Sequence, residues 1–354
     1  MPIRYQDSNF YQPVQLKAAN VYVNDTGVPV CISEASIPLI IANAFRVDGA
    51  DIVVTDVNGN LIPREIASFN RALGTIQLWY KDPAVSTLTG GTQLYLQCGG
   101  PSVNVANDAT VWSGNYGGAT NHALVVHGEE TAANLTDASS NYAAADANIT
   151  YNQVGKIKGA PQYNGSTSVS NFGDITEINN AQKMTMMSWF NQDVIGSYDF
   201  FYFKELNGAL NYDMISFGAL LYIRHRNGAT GESTIDYTPY MSAGFPCHIT
   251  HVFDGSLVGD ARIVIYFDKI QRALTYVLPP PAQLAPLAGI NFFLGSDNAG
   301  SAFSGKIDEF RLVAGAISAN QLSGQYDNQD GFALNSTLTI GGFAALSSGF
   351  YKYW

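Results

Sequence analysis

The sequence predicts an all-β protein built from two β-sandwich domains. Three observations predict this. Charged residues make up only 13% of the chain while hydrophobic residues reach 46%, with 20 Tyr and 19 Phe; helix formers are scarce and β-favouring aromatics abundant. Short alternating apolar segments recur throughout, punctuated by turn pairs such as Asn58-Gly59, Asn207-Gly208, Asn227-Gly228 and Asp254-Gly255. Finally, 354 residues exceed one small sandwich, and a stretch rich in Asn, Gly and Ala at residues 102–122 divides the chain.

In chain order, residues 1–30 are polar and aromatic, with Val14, Leu16, Val21 and Val23 marking an N-terminal arm or edge strands, or equally the first strand of the next domain. Residues 31–101 form the small sandwich. Residues 37–41 (IPLII) read as a buried strand, and residues 50–56 as another, ended by the Asn58-Gly59 hairpin turn. Residues 61–66 follow at hairpin distance, and residues 75–80 and 92–98 alternate cleanly. After the linker at 102–122, residues 123–328 carry the second sandwich, its core supplied chiefly by residues 200–203, 214–217 and 220–224.

Residues 303–326 read as a strand, a turn and a short helix. Ile307, Phe310 and Leu312 do not alternate strictly, and Asp308 and Glu309 are expected on opposite faces. A carboxylate at Asp308, among apolar neighbours, is expected to tie down nearby loop amides. Ser318 followed by Gln321 predicts a capping box. Residues 329–354 form a tail that ends in Phe350, Tyr351, Tyr353 and Trp354. Each such aromatic can bury about 150–250 Å², so these four are expected to dock on a surface rather than stay in water.

The pattern F-x-G-x-I-D-E-x-R at residues 303–311, followed by A-I-S-x-x-Q-L at 316–322, resembles the closing motif of LamG-type domains. Other pieces similar to that family stand upstream in order: GAPQYNGS at 159–166, MTMMSWF at 184–190, GFPCHITHVFDG at 244–255, VIYFDK at 264–269 and NFFLGS at 291–296. The resemblance implies a concanavalin A-like jelly roll. Residues 49–66, with the W-Y-K strand at 79–81, resemble an uncharacterised β-domain found in front of LamG domains. Asp137, Ser139 and Asn141 echo the family's D-S-x-x-x-N loop. As a calcium-dependent lectin, the chain would use Asp137, Asn141 and Asp308 as candidate metal ligands.

Composition and motifs exclude several classes. A net charge of −11 argues against nucleic acid. No apolar run reaches the roughly 20 residues a membrane helix needs. Cys31, Cys98 and Cys247 are too scattered for a zinc site or a disulfide framework, so buried reduced thiols are expected. His127 reads as a packed or hydrogen-bonded histidine, and His248 and His251 face opposite sides of one strand, a poor metal pair. The chain contains no E-x-D-x-x-E run and no G-x-S-x-G elbow. No enzyme is therefore expected, glycan hydrolysis being the weakest alternative.

The N-terminal segment carries no apolar stretch of the secretory type. A lectin-like fold made inside a cell is reconciled by a virus particle. The expectation is a non-catalytic virion structural protein of a tailed bacteriophage, a capsid-decorating or tail-surface subunit. It would be made in the host cytoplasm, held by other virion subunits or as a homo-oligomer, and able to present a sandwich to host-surface glycans. The alternative is a calcium-dependent carbohydrate-binding adhesion module, with no other cofactor.

Overall fold

A computed structural model describes residues 4–118, 120–228, 231–297, 299–331 and 338–345. The chain divides into two compact units, Asn121–Ile317 and, as the other, Met1–Thr120 with Ser318–Trp354.

The first unit holds strands β1 (Phe10–Leu16), β2 (Val28–Ser33), β3 (Val53–Thr55), β4 (Leu61–Ile62), β5 (Arg64–Asn70), β6 (Thr75–Asp82) and β7 (Leu94–Cys98), with helix α1 (Pro38–Asn43). Strands β2, β6 and β5 form one antiparallel sheet. The other runs Leu338–Ile340, β1, β7, β3, β4, with Ala344–Ala345 also on β1. Val14, Leu94 and Leu96 from the larger sheet share a buried cluster with Val30, Ile32, Ile76 and Leu78 from the smaller. This is the expected small sandwich.

Four features differ from the sequence expectation. Residues 37–41 are not a strand; they open α1, with Pro38 in the first turn, where its fixed φ suits a helix. A short apolar run without clear period does not distinguish the two. Residues 10–16 are the first strand of the small sandwich, the second of the two readings left open, and not an arm or edge strand, because β1 pairs on both sides, with β7 and with Leu338–Ile340. Residues 102–118 belong to the first unit rather than standing as a separate linker: Arg64 donates to Asn107 Oδ1 (2.8 Å) and the Val105 carbonyl (2.6 Å), and Trp112 Nε1 donates to Glu65 Oε2 (2.6 Å). Finally, the helix Ala319–Asp330 belongs to the first unit, not the second. Its Asn328 Oδ1 accepts from the Cys31 amide (2.7 Å), and Gln325 Nε2 donates to the Pro29 carbonyl (3.1 Å). The Ser318–Gln321 capping box is present as expected. Phe350, Tyr351, Tyr353 and Trp354 lie outside the described residues.

The second unit holds β8 (His122–Val126), β9 (Ala145–Ala147), β10 (Thr150–Val154), β11 (Gly159–Asn164), β12 (Val169–Asn171), β13 (Lys183–Gln192), β14 (Asp199–Asn207) and β15 (Leu210–Phe217). It continues with β16 (Leu220–Arg224), β17 (Glu232–Asp236), β18 (Cys247–Asp254), β19 (Ile263–Phe267), β20 (Ile270–Arg272), β21 (Thr275–Leu278), β22 (Phe293–Leu294) and β23 (Ser304–Val313). One antiparallel sheet runs β10-β11-β23-β13-β18-β19-β20, with β8 also on β23; the other runs β21-β17-β16-β15-β14-β22-β12-β9.

Between them lies the core. Met184, Met186 and Phe190 of β13, with Ile249 and Phe253 of β18, cluster with Phe201, Tyr212, Met214, Leu221 and Ile223 of the other sheet. Neighbours within each sheet are mostly not consecutive in sequence, as crossing connections require. The second unit is an all-β sandwich of two antiparallel sheets, the fold class expected from the sequence.

One polar group sits inside this core. His251 Nε2 lies 3.2 Å from His225 Nε2, and Tyr202 Oη is 3.2 Å from His251 Nδ1. Burial pushes His225 down to about 3 and holds His251 well below the usual histidine range. His248 faces the other way, against the Trp189 ring at 5.0 Å, so the two histidines of β18 do part as expected.

Candidate functional site

Strands β15 to β17 alternate across their pairing register, while β14 slips register between Phe200 and Tyr202 and again between Glu205 and Asn207, so that Phe201 and Tyr202 both join the core. Their inward residues Phe201, Tyr212, Met214, Leu221, Ile223 and Ile235 join the core. The residues between them therefore point outward. The register sets them in cross-strand rows: Phe203, Asp213, Arg224 and Glu232 in one, Phe200, Ile215, Tyr222 and Thr234 in the next, Phe217, Leu220 and Asp236 in the third.

Aromatic rings dominate one end of this face. Tyr198 meets Phe200 at 5.3 Å and Phe217 at 5.6 Å, both edge-on, and Phe200 meets Phe203 at 5.2 Å. The outermost rings are open to water, Tyr198 at 48% and Phe217 at 62% exposure. Charged groups occupy the adjoining rows. Arg224 Nε donates to Asp213 Oδ1 at 2.6 Å, and Arg226 pairs with Glu232. Burial pushes the Asp213 carboxyl up to about 6 against the pull of Arg224.

On the other sheet, β23 carries the acidic pair. Ile307 and Phe310 both face the core, with two residues between them. The register against β13 slips there, from Met187 opposite Arg311 to Trp189 opposite Asp308, and Glu309 has φ +52°. This is a β-bulge. It corrects the expectation that Asp308 and Glu309 face opposite ways: the inserted residue takes up the alternation, and neither carboxylate joins the core cluster.

Asp308 Oδ2 accepts from the amides of Lys156 (2.7 Å) and Ile157 (2.8 Å), as expected for a loop tie. Gly155 makes the approach possible, since a Cβ there would stand 2.5 Å from that oxygen. Glu309 pairs with His127 Nδ1 at 2.7 Å and Arg311 Nη2 at 2.8 Å. Burial, then the neighbouring Glu309 charge, hold Asp308 well above the usual carboxylate range. Burial also opposes ionisation of Glu309, yet His127 and Arg311 outweigh it and hold that carboxyl low.

The Asp137 loop is self-contained. Its carboxylate accepts from the amides of Val125 (2.9 Å), Ser139 (2.9 Å), Asn141 (2.9 Å) and Tyr142 (3.0 Å) and from Ser139 Oγ (2.6 Å). Asn141 Nδ2 donates to the Ala123 carbonyl (3.3 Å) and Ser139 Oγ (3.0 Å). The structure thus brings Asp137 and Asn141 together, while Asp308 bonds a different loop. Among the described residues, no group of three or more His, Cys, Asp or Glu is placed to hold a metal ion.

Sequence reasoning expects a solvent-facing aromatic platform of a carbohydrate-binding module but does not say which residues form it. Its signal was present in the alternation of residues 213–224, but alternation alone does not say which set faces the core.

No family model and no curated protein matches this chain. Among solved structures, domain 4 of AbnA, an extracellular arabinanase from Geobacillus stearothermophilus solved in complex with arabinotriose, is similar over 58% of this chain and 98% of its own, at 16% identity and a TM-score of 0.47. The ligand-binding domain of botulinum neurotoxin serotype D, solved with N-acetylneuraminic acid, is similar over 58% of this chain and 50% of its own, at 11% identity and a TM-score of 0.43. The receptor-binding domain of the botulinum neurotoxin C/D mosaic serotype is similar over 59% and 51%, at 12% identity and a TM-score of 0.44. The chain spans about half the length of the neurotoxin domains it matches. No residue role follows from similarities of this order.

Proposed function

We propose that this chain is a non-catalytic glycan-binding module, and that the outward face of β14 to β17 is where sugar binds. The observation that carries this reading is the exposed Tyr198–Phe217 pair beside the fixed Asp213–Arg224 ion pair. A pyranose ring has an apolar C–H face and a rim of hydroxyls. Exposed aromatic rings offer the first a stacking surface, and neighbouring charged groups offer the second hydrogen-bond partners. Exposed aromatic patches on a soluble sandwich are usually interaction sites.

The test is a glycan array probed with wild-type chain, with and without chelator, and with Phe217→Ala. Binding to a defined set of glycans, lost in the variant, is the expected result. Uniformly blank spots would remove the reading. Loss of signal with chelator would instead favour the calcium-dependent alternative and direct attention to the Asp137 loop.

The setting proposed for this module is the surface of a tailed-phage virion, as a capsid-decorating or tail subunit made in the host cytoplasm. Cys31, Cys98 and Cys247 support it: all three are buried thiols outside any disulfide, so folding needs no oxidising compartment. The measurement that decides the setting is the chain's position among its neighbours in an intact particle.

A further inference from the structure

The outer side of the other sheet holds a second, smaller site. Two cross-strand pairs form its floor, Trp189 with Asp308 and Asn191 with Lys306. The β10–β11 turn, through Gly155 and Lys156, makes one wall; Gly244 and Pro246 make the other. The cavity, partly open to solvent, measures about 240 Å³. It has room for several waters or one monosaccharide-sized molecule, a little below the usual range of ligand pockets.

Its lining is polar and specific. Asp308 is 3% exposed, and its Oδ1, unlike Oδ2, has no hydrogen-bond partner. Asn191 Oδ1 is likewise buried without a partner. A buried polar atom left unmatched costs about 1–3 kcal/mol, and a ligand group that matches it recovers that cost. The Lys156 ammonium lies over the Trp189 ring, 4.6 Å from its centroid. Lys306 Nζ donates to the Val154 carbonyl at 3.1 Å, which leaves it two further donors. Two cations therefore border one cavity in a chain of net charge −11, and burial, then the Glu309 charge behind it, favours the neutral form of Asp308, the one carboxyl among the described lining residues. The charges that directly line the cavity are thus the two ammonium groups.

We propose that this cavity binds a single hydroxylated carboxylate of monosaccharide size, a uronate, its carboxylate held by Lys156 and Lys306 and its hydroxyls by Asp308 Oδ1 and Asn191 Oδ1. The site is separate from the aromatic face of β14 to β17 and does not rest on it.

The test is calorimetric or ligand-observed NMR titration of the full chain with glucuronate, glucose and acetate. Glucuronate is expected to bind at least tenfold more tightly than either. Lys306→Gln, a substitution at a half-buried position on the sheet's outer side that keeps most of the stem, is expected to weaken it severalfold, and Lys156→Gln with Lys306→Gln tenfold or more. Lys183→Gln, at the far end of β13, serves as the control and is expected to leave binding as it is. Glucose binding equal to glucuronate, acetate binding equal to glucuronate, no glucuronate binding at all, or a double variant with undiminished affinity would each overturn the proposal. A blank glycan array alongside uronate binding would remove the aromatic-face reading and leave this one standing.

Discussion

Asp308 and Glu309 are adjacent in β23, both buried, and held at opposite ends of the carboxyl titration range. The difference comes from their partners. Asp308 has two backbone amides and no cation bonded to it, so burial dominates. Glu309 has His127 and Arg311. The bulge at Glu309 makes this split, because it places two consecutive carboxyls outside the core and lets each find its own neighbours.

Glu309 therefore depends on its cations. Arg311→Met removes one and leaves a buried carboxylate half-compensated. The expected loss is about 3–5 kcal/mol, the usual result of breaking a buried pair from one side. Glu309→Gln combined with Arg311→Met should cost less than Arg311→Met alone, since no charge is then stranded. Denaturant unfolding of the three proteins checks this.

The core histidines set an acid limit. His225 is neutral in the fold, with its folded value depressed to about 3, while in the unfolded chain it ionises near 6.5. Between those values the unfolded chain binds the extra proton, so stability falls as pH drops through that window. Each such histidine contributes a slope of up to about 1.4 kcal/mol per pH unit. His225→Phe should lose less stability per unit between pH 6 and pH 4 than wild type, by about that amount. In wild type the His225 ring signals should not titrate between pH 8 and pH 5.

Phe217 is 62% exposed, so Phe217→Ala removes little buried area and should change stability by less than about 1 kcal/mol. Its effect on glycan retention should be at least tenfold. Affinity electrophoresis in polysaccharide gels, with thermal unfolding alongside, separates the two. A variant that loses stability and retention together would make Phe217 a packing residue.

The helix at the end of the second-sandwich motif is capped reciprocally by Ser318 and Gln321, with the Gln321 amide donating to Ser318 Oγ at 3.2 Å and the Ser318 amide to Gln321 Oε1 at 2.8 Å. Ser318→Ala should cost about 1 kcal/mol, read as a lowered midpoint of unfolding. Ser318→Asp should restore most of it.

What the sequence makes legible follows the range of the interaction. The capping box is local, so Ser318 and Gln321 announce it. The strands of both sandwiches show through alternation and turn pairs, and the loop tie of Asp308 follows from a carboxylate set among apolar neighbours. What depends on distant partners stays hidden. β1 lies inside its sheet because Leu338–Ile340 arrives more than 300 residues later to pair with it. The Ala319–Asp330 helix joins the first unit through Asn328 and the Cys31 backbone, a contact no local pattern encodes. The bulge needs a glutamate at positive φ, which a glycine would have signalled and Glu309 does not. The position of the aromatic face was hidden for a different reason: both sides of β15 and β16 are apolar enough to be core, and only the packed sandwich decides between them.

The central claim is that this chain holds sugar on the exposed aromatic end of a sheet face without transforming it. The direct measurement is incubation of the purified chain with a panel of polysaccharides, followed by both co-sedimentation and reducing-end analysis. The account predicts retention on at least one polysaccharide, abolished by Phe217→Ala, with no new reducing ends. New reducing ends, or retention that survives loss of the Tyr198 and Phe217 rings, would contradict it.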